Sequence, residues 1–413
     1  MATLSAGSRF GLDTLKERPH LLMGGWYKPG SGFTRVLLSL LPFLRSKFRI
    51  TWLGVGYRGE PFDLCEGVHV LPTNLRGGDM VGAYYARKNW KTLAPDLVFV
   101  LNDLWYLTHY SSEFGMLEQP MVPMVGYLPL DGGIDNYSLT RDLTGFHQIV
   151  TYTHWAADQL RPALAAMGNS TPVTVAGHGV DLTHFQMFTG GLNLAARMVR
   201  AQQLFGLDEP AFVILNANRP DPRKRLDLTL EAFARFASGK PANIRLCLHQ
   251  AIAHEQFVAP LREQATQLGI MDRILWFPRE PGPLSDAGLN ELYNSCAVGL
   301  NTTMGEGFGL VSFEHAATGA PQVVPAHPAL QELWQDGAEL VQPVRPTHTE
   351  YSPLLMGEVD VSAVAESLNR VYCDPEHFAK VAQAGLARTR LPEFDWSVPA
   401  NLLVSALCEA IDS

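Results

Sequence analysis

The segment Met304-Gly-Glu-Gly-Phe-Gly-Leu-Val-Ser-Phe-Glu314 is the part of this sequence that decides its fold. The apolar run 296–303 before it predicts a buried strand, and the residues after its glycines predict a short helix that stops at Gly319. A glycine-rich turn between a strand and a helix leaves backbone N–H groups free at the helix N-terminus, where an anion or a polar ligand binds. Helix side chains lean towards the N-terminus, so we expect Glu314 to point back at such a ligand. Turns of this kind are common in α/β proteins, and a turn without a specific ligand is the alternative.

Length and composition indicate a globular protein of two domains. The chain has 413 residues, of which 46% are hydrophobic and 18% are charged, and this length exceeds what one hydrophobic core usually supports. The net charge of −9 argues against nucleic acid as a partner, because no broad basic face is available. The five cysteines are dispersed without a Cys-x-x-Cys pair, which favours reduced thiols over disulfides or a zinc site.

No segment of the sequence predicts export or membrane insertion. Residues 1–19 lack the apolar stretch of a signal peptide, and no apolar run approaches the roughly 18–20 residues that span a membrane. We therefore expect a cytoplasmic protein. The most apolar stretch, 36–44, is followed by Arg45, Lys47 and Arg49, and it is predicted to be a core helix with cations at its C-terminus. A helix that makes weak contact with a membrane surface is the alternative.

Apolar strands alternate with helices through most of the chain. The predicted strands lie at 20–25, 48–56, 68–72, 97–101, 121–127, 148–152, 172–176, 211–216, 244–248, 274–277, 296–303, 321–325 and 339–341. The predicted helices include 33–47, 80–92, 155–167, 226–237, 255–268, 285–295, 361–372 and 375–389. Such alternation predicts parallel sheets that are covered on both faces.

The fold class is therefore α/β, with two Rossmann-like, doubly wound domains. A looser stretch at 183–210 separates the two runs of strands. We place the first domain at 1–186, the second at 187–395 and a terminal helix at 396–413. Ligands of such sheets bind beyond the carboxyl ends of the strands, and two such domains in tandem enclose a cleft.

Several further motifs accompany the Glu306–Glu314 segment, and together they point to a known family. The motifs are Ala176-Gly-His-Gly-Val-Asp181, Asn218-Arg-Pro-Asp-Pro-Arg-Lys224, Leu292-Tyr293 before Cys296-Ala-Val, and Phe394-Asp-Trp-Ser397. With the two glutamates separated by seven residues, this set closely resembles the signatures of retaining glycosyltransferases of family 4, or glycosyl transferases group 1, which have the GT-B fold. The resemblance covers most of the C-terminal half and the N-terminal half in outline. It implies an acceptor-binding first domain, a donor-binding second domain and a terminal helix that crosses back to the first.

The resemblance implies that Arg219 and Lys224 neutralise the diphosphate of a nucleotide-sugar donor, so that no metal or other cofactor is required. The two side chains are five positions apart in one loop and could both bind one diphosphate. A solvated basic run that includes Arg223 and Arg225 is the alternative. In the first domain, Gly32 resembles in outline the family's glycine turn, where an amide meets the diphosphate; an ordinary flexible connection is the alternative.

The two glutamates and the turn between them would hold the rest of the donor. By resemblance, Glu314 accepts hydrogen bonds from the ribose hydroxyls. Glu306, with the amides of Gly307, Phe308 and Gly309, holds the donor sugar, and it could stabilise the positive charge that develops at the anomeric carbon. The alternatives are a surface or capping carboxylate for Glu314 and a satisfied turn carboxylate for Glu306.

The chain departs from the family at three positions. Members often carry a His in the loop after the fourth strand of the first domain, where it contacts the transferred sugar, but this chain has Asp131. Asp131 could contact a sugar hydroxyl or act catalytically in proton transfer, or it could be a plain turn residue before Gly132. His178 replaces the usual junction Asn, and Asn218 replaces the Gly before the diphosphate Arg, which leaves the donor unidentified.

As the resemblance implies, the expected activity is metal-independent transfer of a hexose from a nucleotide diphosphate-sugar to an acceptor hydroxyl, with retention of configuration. The acceptor would be a carbohydrate, a lipid-linked sugar or a small molecule. Five aromatic residues are candidates for stacking on it, with burial in the core as the alternative: Trp26, Tyr27, Trp105, Tyr106 and Tyr127. Two other functions stay open, namely another GT-B nucleotide-sugar enzyme (an epimerase or a phosphorolytic enzyme) and a non-catalytic sugar-nucleotide-binding protein.

Overall fold

The first half of the chain folds around one large, almost entirely parallel sheet. The computed structural model describes residues 17–73, 77–117, 122–249, 255–278, 282–350 and 352–412, with the backbone alone at 344 and 345. The first eight strands are β1 His20–Trp26, β2 Arg49–Val55, β3 Phe62–Cys65, β4 Val68–Pro72, β5 Leu97–Leu101, β6 Met124–Leu128, β7 Gln148–Thr151 and β8 Val173–Val175. They are ordered β3-β4-β2-β1-β5-β6-β7-β8, and β3 is antiparallel to its neighbour β4. The helices of this half are α1 Gly32–Leu44, α2 Ala83–Lys88, α3 Trp90–Leu93, α4 Leu104–Phe114 and α5 His154–Ala166.

Helices cover both faces of this sheet, as its continuous apolar strands require. On β1, Leu21 and Met23 pack in the same cluster as the buried residues of α1, whereas Leu22 packs with α4 and α5 on the opposite face. The side chain of Ser31 caps α1 by accepting a hydrogen bond from the amide of Thr34 at 3.2 Å. The apolar stretch 36–44 is thus a core helix, as predicted, with Leu38 exposed on its outer side.

The second half builds a six-stranded parallel sheet in the order β11-β10-β9-β12-β13-β14. Its strands are β9 Phe212–Asn216, β10 Ile244–His249, β11 Ile274–Phe277, β12 Val298–Leu300, β13 Gln322–Pro325 and β14 Glu339–Val341. Its helices are α6 Leu194–Phe205, α7 Leu226–Ala237, α8 Glu255–Gln267, α9 Asp286–Ser295, α10 Leu310–Ala317, α11 Pro328–Trp334, α12 Val361–Cys373 and α13 Pro375–Arg388. A separate antiparallel hairpin is formed by β15 Pro343–Thr349 and β16 Ser352–Val359. The prediction of two doubly wound α/β domains is confirmed.

The last helix, α14 Ser397–Asp412, returns to the first half of the molecule, as predicted. It packs against α1 and against β5, β6 and β7. Leu403 and Leu407 of this helix are fully buried there. Among the described residues, no helix is both long and apolar enough to cross a membrane.

Several elements differ from the sequence prediction, and β3 and α11 are two that were not predicted. The stretch 183–210, predicted to be loose, contains α6, which is capped by Asn193 and ends at Gly206 with a φ of +64°. Neither α4 nor the β15–β16 hairpin was predicted, and the predicted helix 80–92 is divided into α2 and α3 at Asn89. The domain boundary at 186/187 stays a prediction.

Candidate functional site

Three loops meet at the carboxyl ends of parallel strands. The turn 304–309 joins β12 to α10, the 3-10 turn Pro222–Lys224 follows β9, and the loop 129–133 follows β6 of the other sheet. Ligands of doubly wound sheets bind at this edge. The meeting point therefore combines residues from both halves of the chain at the place where a ligand is expected.

The turn 304–309 requires glycine because the other domain packs directly on it. A Cβ atom at Gly305 would collide with the main-chain oxygen of Asp131, and one at Gly307 would lie 2.9 Å from Cβ of Pro129. Gly309 has a φ of +85° at the start of α10, a conformation that other residues rarely adopt. The glycines thus bring the backbones of the two domains into contact beside Glu306.

Lys224 and Glu306 form a buried ion pair at this contact. The ammonium group of Lys224 donates a hydrogen bond to Oε2 of Glu306, and the two side chains are 9% and 13% exposed. Burial alone would raise the pKa of Glu306, but the charges of Lys224 and Arg223 lower it. Burial and the neighbouring Arg223 lower the pKa of Lys224, against the effect of Glu306. Glu306 is therefore an ionised carboxylate held beside two cations.

Arg223 links this pair to the first domain. Its Nη1 atom lies 3.2 Å from Oδ2 of Asp131 and donates a hydrogen bond to the carbonyl oxygen of Gly305. Burial raises the pKa of Asp131, and the charge of Arg223 opposes that rise. Arg223, which in the sequence is one member of a basic run, is the arginine that is buried against Asp131.

The side chain of Arg219 is much more exposed than that of Lys224. Its side chain is 58% exposed, and its nearest ion-pair partner is Asp221 at 3.6 Å. The 3-10 turn between the two residues, capped by Asp221 on the amide of Arg223, turns Lys224 inward. The role of Arg219 at a diphosphate stays a prediction.

Glu314 is held by both domains. Its Oε1 atom lies 3.4 Å from Nε of Arg35 in α1, and its Oε2 atom accepts a hydrogen bond from the hydroxyl of Tyr293 at 3.0 Å. Arg35 also pairs with Asp286 at 2.6 Å. Burial raises the pKa of Glu314, while Arg35 and Tyr293 oppose the rise. Gly32 stands one turn before Arg35 at the exposed start of α1, so this helix end lies on the Glu314 side of the site.

The side chain of Phe308 belongs to an aromatic cluster rather than to an open surface. It is 3% exposed, and its ring centroid lies 4.8 Å from His178 and 4.9 Å from Phe313. The ring of His178 lies in turn 4.0 Å from that of Tyr152. The side chain of Phe308 is therefore not exposed to a ligand, and the use of its amide stays a prediction.

Tyr127 likewise belongs to the core. It is fully buried, and its hydroxyl directs its one proton towards the carbonyl oxygens of Ala176 at 2.9 Å and Gly177 at 2.7 Å. The core alternative therefore applies to Tyr127. The other four aromatic candidates are partly buried: Trp26, Tyr27, Trp105 and Tyr106.

Asp103 is a residue that sequence reasoning missed. It follows β5 and occupies the N-cap position of α4, but its side chain makes no capping hydrogen bond. Burial, with Asp131 nearby, raises its pKa to about 7, and Arg223 opposes that rise. The polar pair Asn102-Asp103 directly after a buried strand is the sequence feature that could have indicated this residue. Because α4 was not predicted, the pair was not placed at the start of a helix beside the site.

Within the described ranges, no group of three or more His, Cys, Asp or Glu side chains is placed to hold a metal ion. The charged groups at the meeting point of the three loops are carboxylates paired with Lys or Arg. The arrangement suits a polar ligand with both negative charge and hydroxyl groups, because cations and carboxylates lie side by side.

Solved structures with the same architecture include a synthase and a protein in complex with UDP and glucose. Sucrose-phosphate synthase from Thermosynechococcus elongatus superposes with a TM-score of 0.73 at 14% identity, covering 96% of this chain and 99% of that one. HepE from Anabaena, in complex with UDP and glucose, superposes with a TM-score of 0.70 at 16% identity, covering 95% and 100%. The fold is GT-B, with two Rossmann-like domains that face a cleft.

The sequence comparisons show similarity to one family. Residues 200–386 match the model described as glycosyl transferases group 1. A D-inositol 3-phosphate glycosyltransferase of Stackebrandtia nassauensis is 30% identical over 244 residues, which are 58% of this chain and 49% of the relative. One of Kribbella flavida is 26% identical over 74% of this chain and 71% of its own. The chain spans about half the length of the curated relatives it matches first.

Proposed function

We propose that this protein transfers a hexose from a nucleotide diphosphate-sugar to an acceptor hydroxyl, with retention of anomeric configuration and without a metal. The observation that carries the proposal is the buried Lys224–Glu306 pair, with Arg223 beside it, in the glycine-rich turn at the carboxyl edge of both sheets. Burial of charged groups costs free energy unless they are paired and hydrogen-bonded. Ionisable groups with shifted pKa values in a cleft are typical of functional sites.

Each predicted donor contact has a chemical role in this proposal. Lys224, with Arg219 from the same loop, neutralises the charge that develops on the departing diphosphate as its bond to the sugar breaks. The carboxylate of Glu306 accepts hydrogen bonds from the sugar and stabilises the oxocarbenium character of the anomeric carbon. The amides of Gly307, Phe308 and Gly309 bind the same sugar.

The nucleoside end of the donor would lie towards α1. Glu314 accepts from the ribose hydroxyls, and the amide of Gly32 contacts the diphosphate from the first domain. Asp131, fixed by Arg223, would face the transferred sugar from across the cleft. HepE was solved with UDP-glucose, which makes UDP-glucose the first donor to test on this chain.

Turnover tests the proposal directly. The protein is incubated with UDP-glucose and a panel of polyol and sugar acceptors, UDP release is quantified, and the anomeric signal of the product is recorded by NMR. We expect acceptor-dependent UDP release, an α-linked product and no loss of rate with a chelator. Lys224→Met and Glu306→Gln should each lower the rate about 100-fold or more, since each removes a charge that acts in the transition state. Lys380→Met, on the exposed side of α13, is the matched control.

Other outcomes would identify other chemistry. UDP-glucose consumption that needs no acceptor, or that depends on free phosphate, would indicate an epimerase or a phosphorolytic enzyme. An inverted product or a requirement for a divalent cation would contradict the proposed mechanism. Nucleotide binding without turnover over the whole panel would indicate a non-catalytic binding protein.

A further inference from the structure

Three buried polar side chains at the carboxyl edge of the first sheet lack hydrogen-bond partners among the described residues. They are Asn102 through Nδ2, Tyr152 through its hydroxyl and His178 through both ring nitrogens, and the residues are 1%, 4% and 3% exposed. Asn102 follows β5, Tyr152 follows β7 and His178 lies after β8. A buried polar group without a partner is costly, and native proteins pair the great majority of them.

These groups lie next to the donor turn. The ring of His178 is in contact with Tyr152 on one side and with Phe308 of the turn on the other. Asn102 is adjacent to Asp103, and its own Oδ1 accepts a hydrogen bond from the amide of Asp103 at 3.0 Å. The three groups and the Glu306 turn therefore belong to one region.

Asp103 adds an unpaired carboxylate to the same region. In the described part of the chain, its carboxylate has no hydrogen-bond or ion-pair partner, although it occupies an N-cap position where an Asp usually accepts from the helix amides. The charges that act on it come from both domains, namely from Asp131 and from the loop that carries Arg219 and Arg223. It also acts on Tyr152, together with Asp131. Asp103 thus lies near charged side chains of both domains.

The chemistry of these groups matches alcohol hydroxyls. Asn102 offers a donor, Asp103 an acceptor and Tyr152 either, while a neutral His178 offers one of each. Since every hydroxyl group both donates and accepts, a molecule with several of them can satisfy all four residues. An apolar ligand would leave all of them unpaired.

The local charge disfavours an anionic ligand at this edge. Four carboxylates face three cations around the meeting point: Asp103, Asp131, Asp221 and Glu306 against Arg219, Arg223 and Lys224. The proposed donor brings a diphosphate that would use these cations. A second anion on the Asp103 side would then meet uncompensated negative charge.

We propose that Asn102, Asp103, Tyr152 and His178 form the acceptor subsite and that it takes a neutral polyol, whose hydroxyls bind the Asp103 carboxylate and the Tyr152 hydroxyl. The inference rests on the proposed function and deepens it by naming the acceptor class. It separates this chain from the relatives named for an inositol phosphate acceptor.

Titration calorimetry in the presence of saturating UDP tests the proposal. The probes are myo-inositol and glucose, with D-inositol 3-phosphate and glucose 6-phosphate as their phosphorylated counterparts. We expect each neutral probe to bind about tenfold or more tightly than its counterpart. Asp103→Asn and Tyr152→Phe should each weaken myo-inositol binding about tenfold, the loss expected for a hydrogen bond to a charged or buried group. Both variants should leave the affinity for UDP within about twofold. The control is Asp158→Asn on the exposed face of α5.

A pH series separates binding by Asp103 from a structural effect. The pKa of Asp103 lies at about 7, raised by burial, Asp131 and Asp221 and lowered by Arg223 and Arg219. Tyr152 and His178 keep their neutral forms near neutrality, because burial raises the pKa of the first and lowers that of the second to about 3. Affinity for myo-inositol should therefore rise from about pH 6 to about pH 8 in the wild type and stay level in Asp103→Asn.

The outcomes distinguish this inference from the function on which it rests. If UDP does not bind the wild type, the proposed function fails and the acceptor assignment fails with it. If UDP binds but the phosphorylated probes bind more tightly, or neither neutral probe binds, only the acceptor assignment fails. Unchanged myo-inositol affinity in both variants would also overturn it.

Discussion

Glu314 is a carboxylate whose two oxygens are held by different domains. Tyr293, from the second domain, donates to Oε2, and Arg35, from the first domain, lies beside Oε1. Burial raises the pKa of this carboxyl group, and Arg35 opposes the rise. Its ionisation, and so its capacity to accept from a ribose, depends on a residue of the other domain.

Removal of Arg35 should therefore change the pH dependence of nucleotide binding. Arg35→Ala raises the pKa of Glu314 further, so the protonated form persists to higher pH and accepts fewer hydrogen bonds. We expect the affinity for UDP to weaken on acidification at a higher pH in Arg35→Ala than in the wild type, as measured by calorimetry across the acidic and neutral range. Arg161→Ala, on an exposed side chain of α5, should behave as the wild type. Identical pH profiles for Arg35→Ala and the wild type would contradict the ribose role of Glu314.

At the residue scale, motifs point to some residues of the site, whereas contacts made by packing have no local signal in the sequence. Lys224 and Glu306, which the family resemblance assigns to one donor site, form an ion pair. The 3-10 turn at Pro222–Lys224 determines which of Arg219 and Arg223 is buried. No residue pattern in the sequence predicts the orientation of this turn. Arg35 comes from a helix 279 positions before Glu314, and nothing local in the sequence records that contact.

Among the secondary-structure elements, the β15–β16 hairpin connects the two domains beside the site. Gly133 and Leu355 exchange two backbone hydrogen bonds, at 2.8 and 2.9 Å, as in an antiparallel bridge. On the other side, the amide of Gly357 donates to the carbonyl oxygen of Met304 at 2.9 Å. The hairpin thus holds the Asp131 loop and the glycine turn in a fixed relation.

Leu355→Pro should loosen this connection. Proline removes the amide that donates to Gly133, a loss worth about 1 kcal/mol or more of the free energy of unfolding. Leu355→Ala shortens the side chain but keeps the amide, so it serves as the matched control. We expect a lower Tm for Leu355→Pro than for Leu355→Ala in scanning calorimetry, and equal Tm values would show that the bridge contributes nothing to stability.

The parallel strands of both sheets could be predicted because buried parallel strands are continuous apolar runs, whereas the antiparallel edge strand β3 was not predicted. β5, β11 and β14 have the bounds that their runs predicted. The hairpin could not be predicted in this way, because its sequence has neither a tight-turn dipeptide nor a clean alternation and its partner, Gly133, is remote. α4 was missed since its moderate amphipathic pattern follows directly on a strand, and its N-cap residue Asp103 makes no capping hydrogen bond.

At the scale of the whole molecule, one hydrophobic cluster runs through both domains. It includes α1 and β1 of the first domain, α9 and α10 of the second, and α14. α14 follows the second domain in the chain and packs on the first. The last helix, α14, therefore contributes to the core of the first domain.

Shortening a buried residue of α14 should accordingly destabilise the protein. Leu407 is fully buried, and Leu407→Ala should lower the free energy of unfolding by about 2–5 kcal/mol, the usual cost of a cavity in a packed core. Leu402 lies on the same helix but is 53% exposed, and Leu402→Ala should change it by less than about 0.5 kcal/mol. Urea denaturation of both variants measures the difference, and a similar small effect of both would contradict the packing of α14.

The α/β class and the two doubly wound sheets followed from the alternation of strands and helices, because that pattern is local and repeated. The contact between the domains did not follow from it. Asp131 and Gly305 are in close contact although they are 174 residues apart in the sequence. The glycines of the turn are compatible with such a close contact but do not identify the segment that makes it.

The most direct test of the central claim is the melting temperature of the protein with a nucleotide diphosphate and its sugar. Ligand that binds the folded state at about 100 times its Kd stabilises that state by about 2.7 kcal/mol. We predict that UDP or UDP-glucose raises the Tm of the wild type and of Lys380→Met, and that Lys224→Met loses most of the rise. The claim is contradicted if no nucleotide diphosphate raises the Tm, or if Lys224→Met shows the same rise as the wild type.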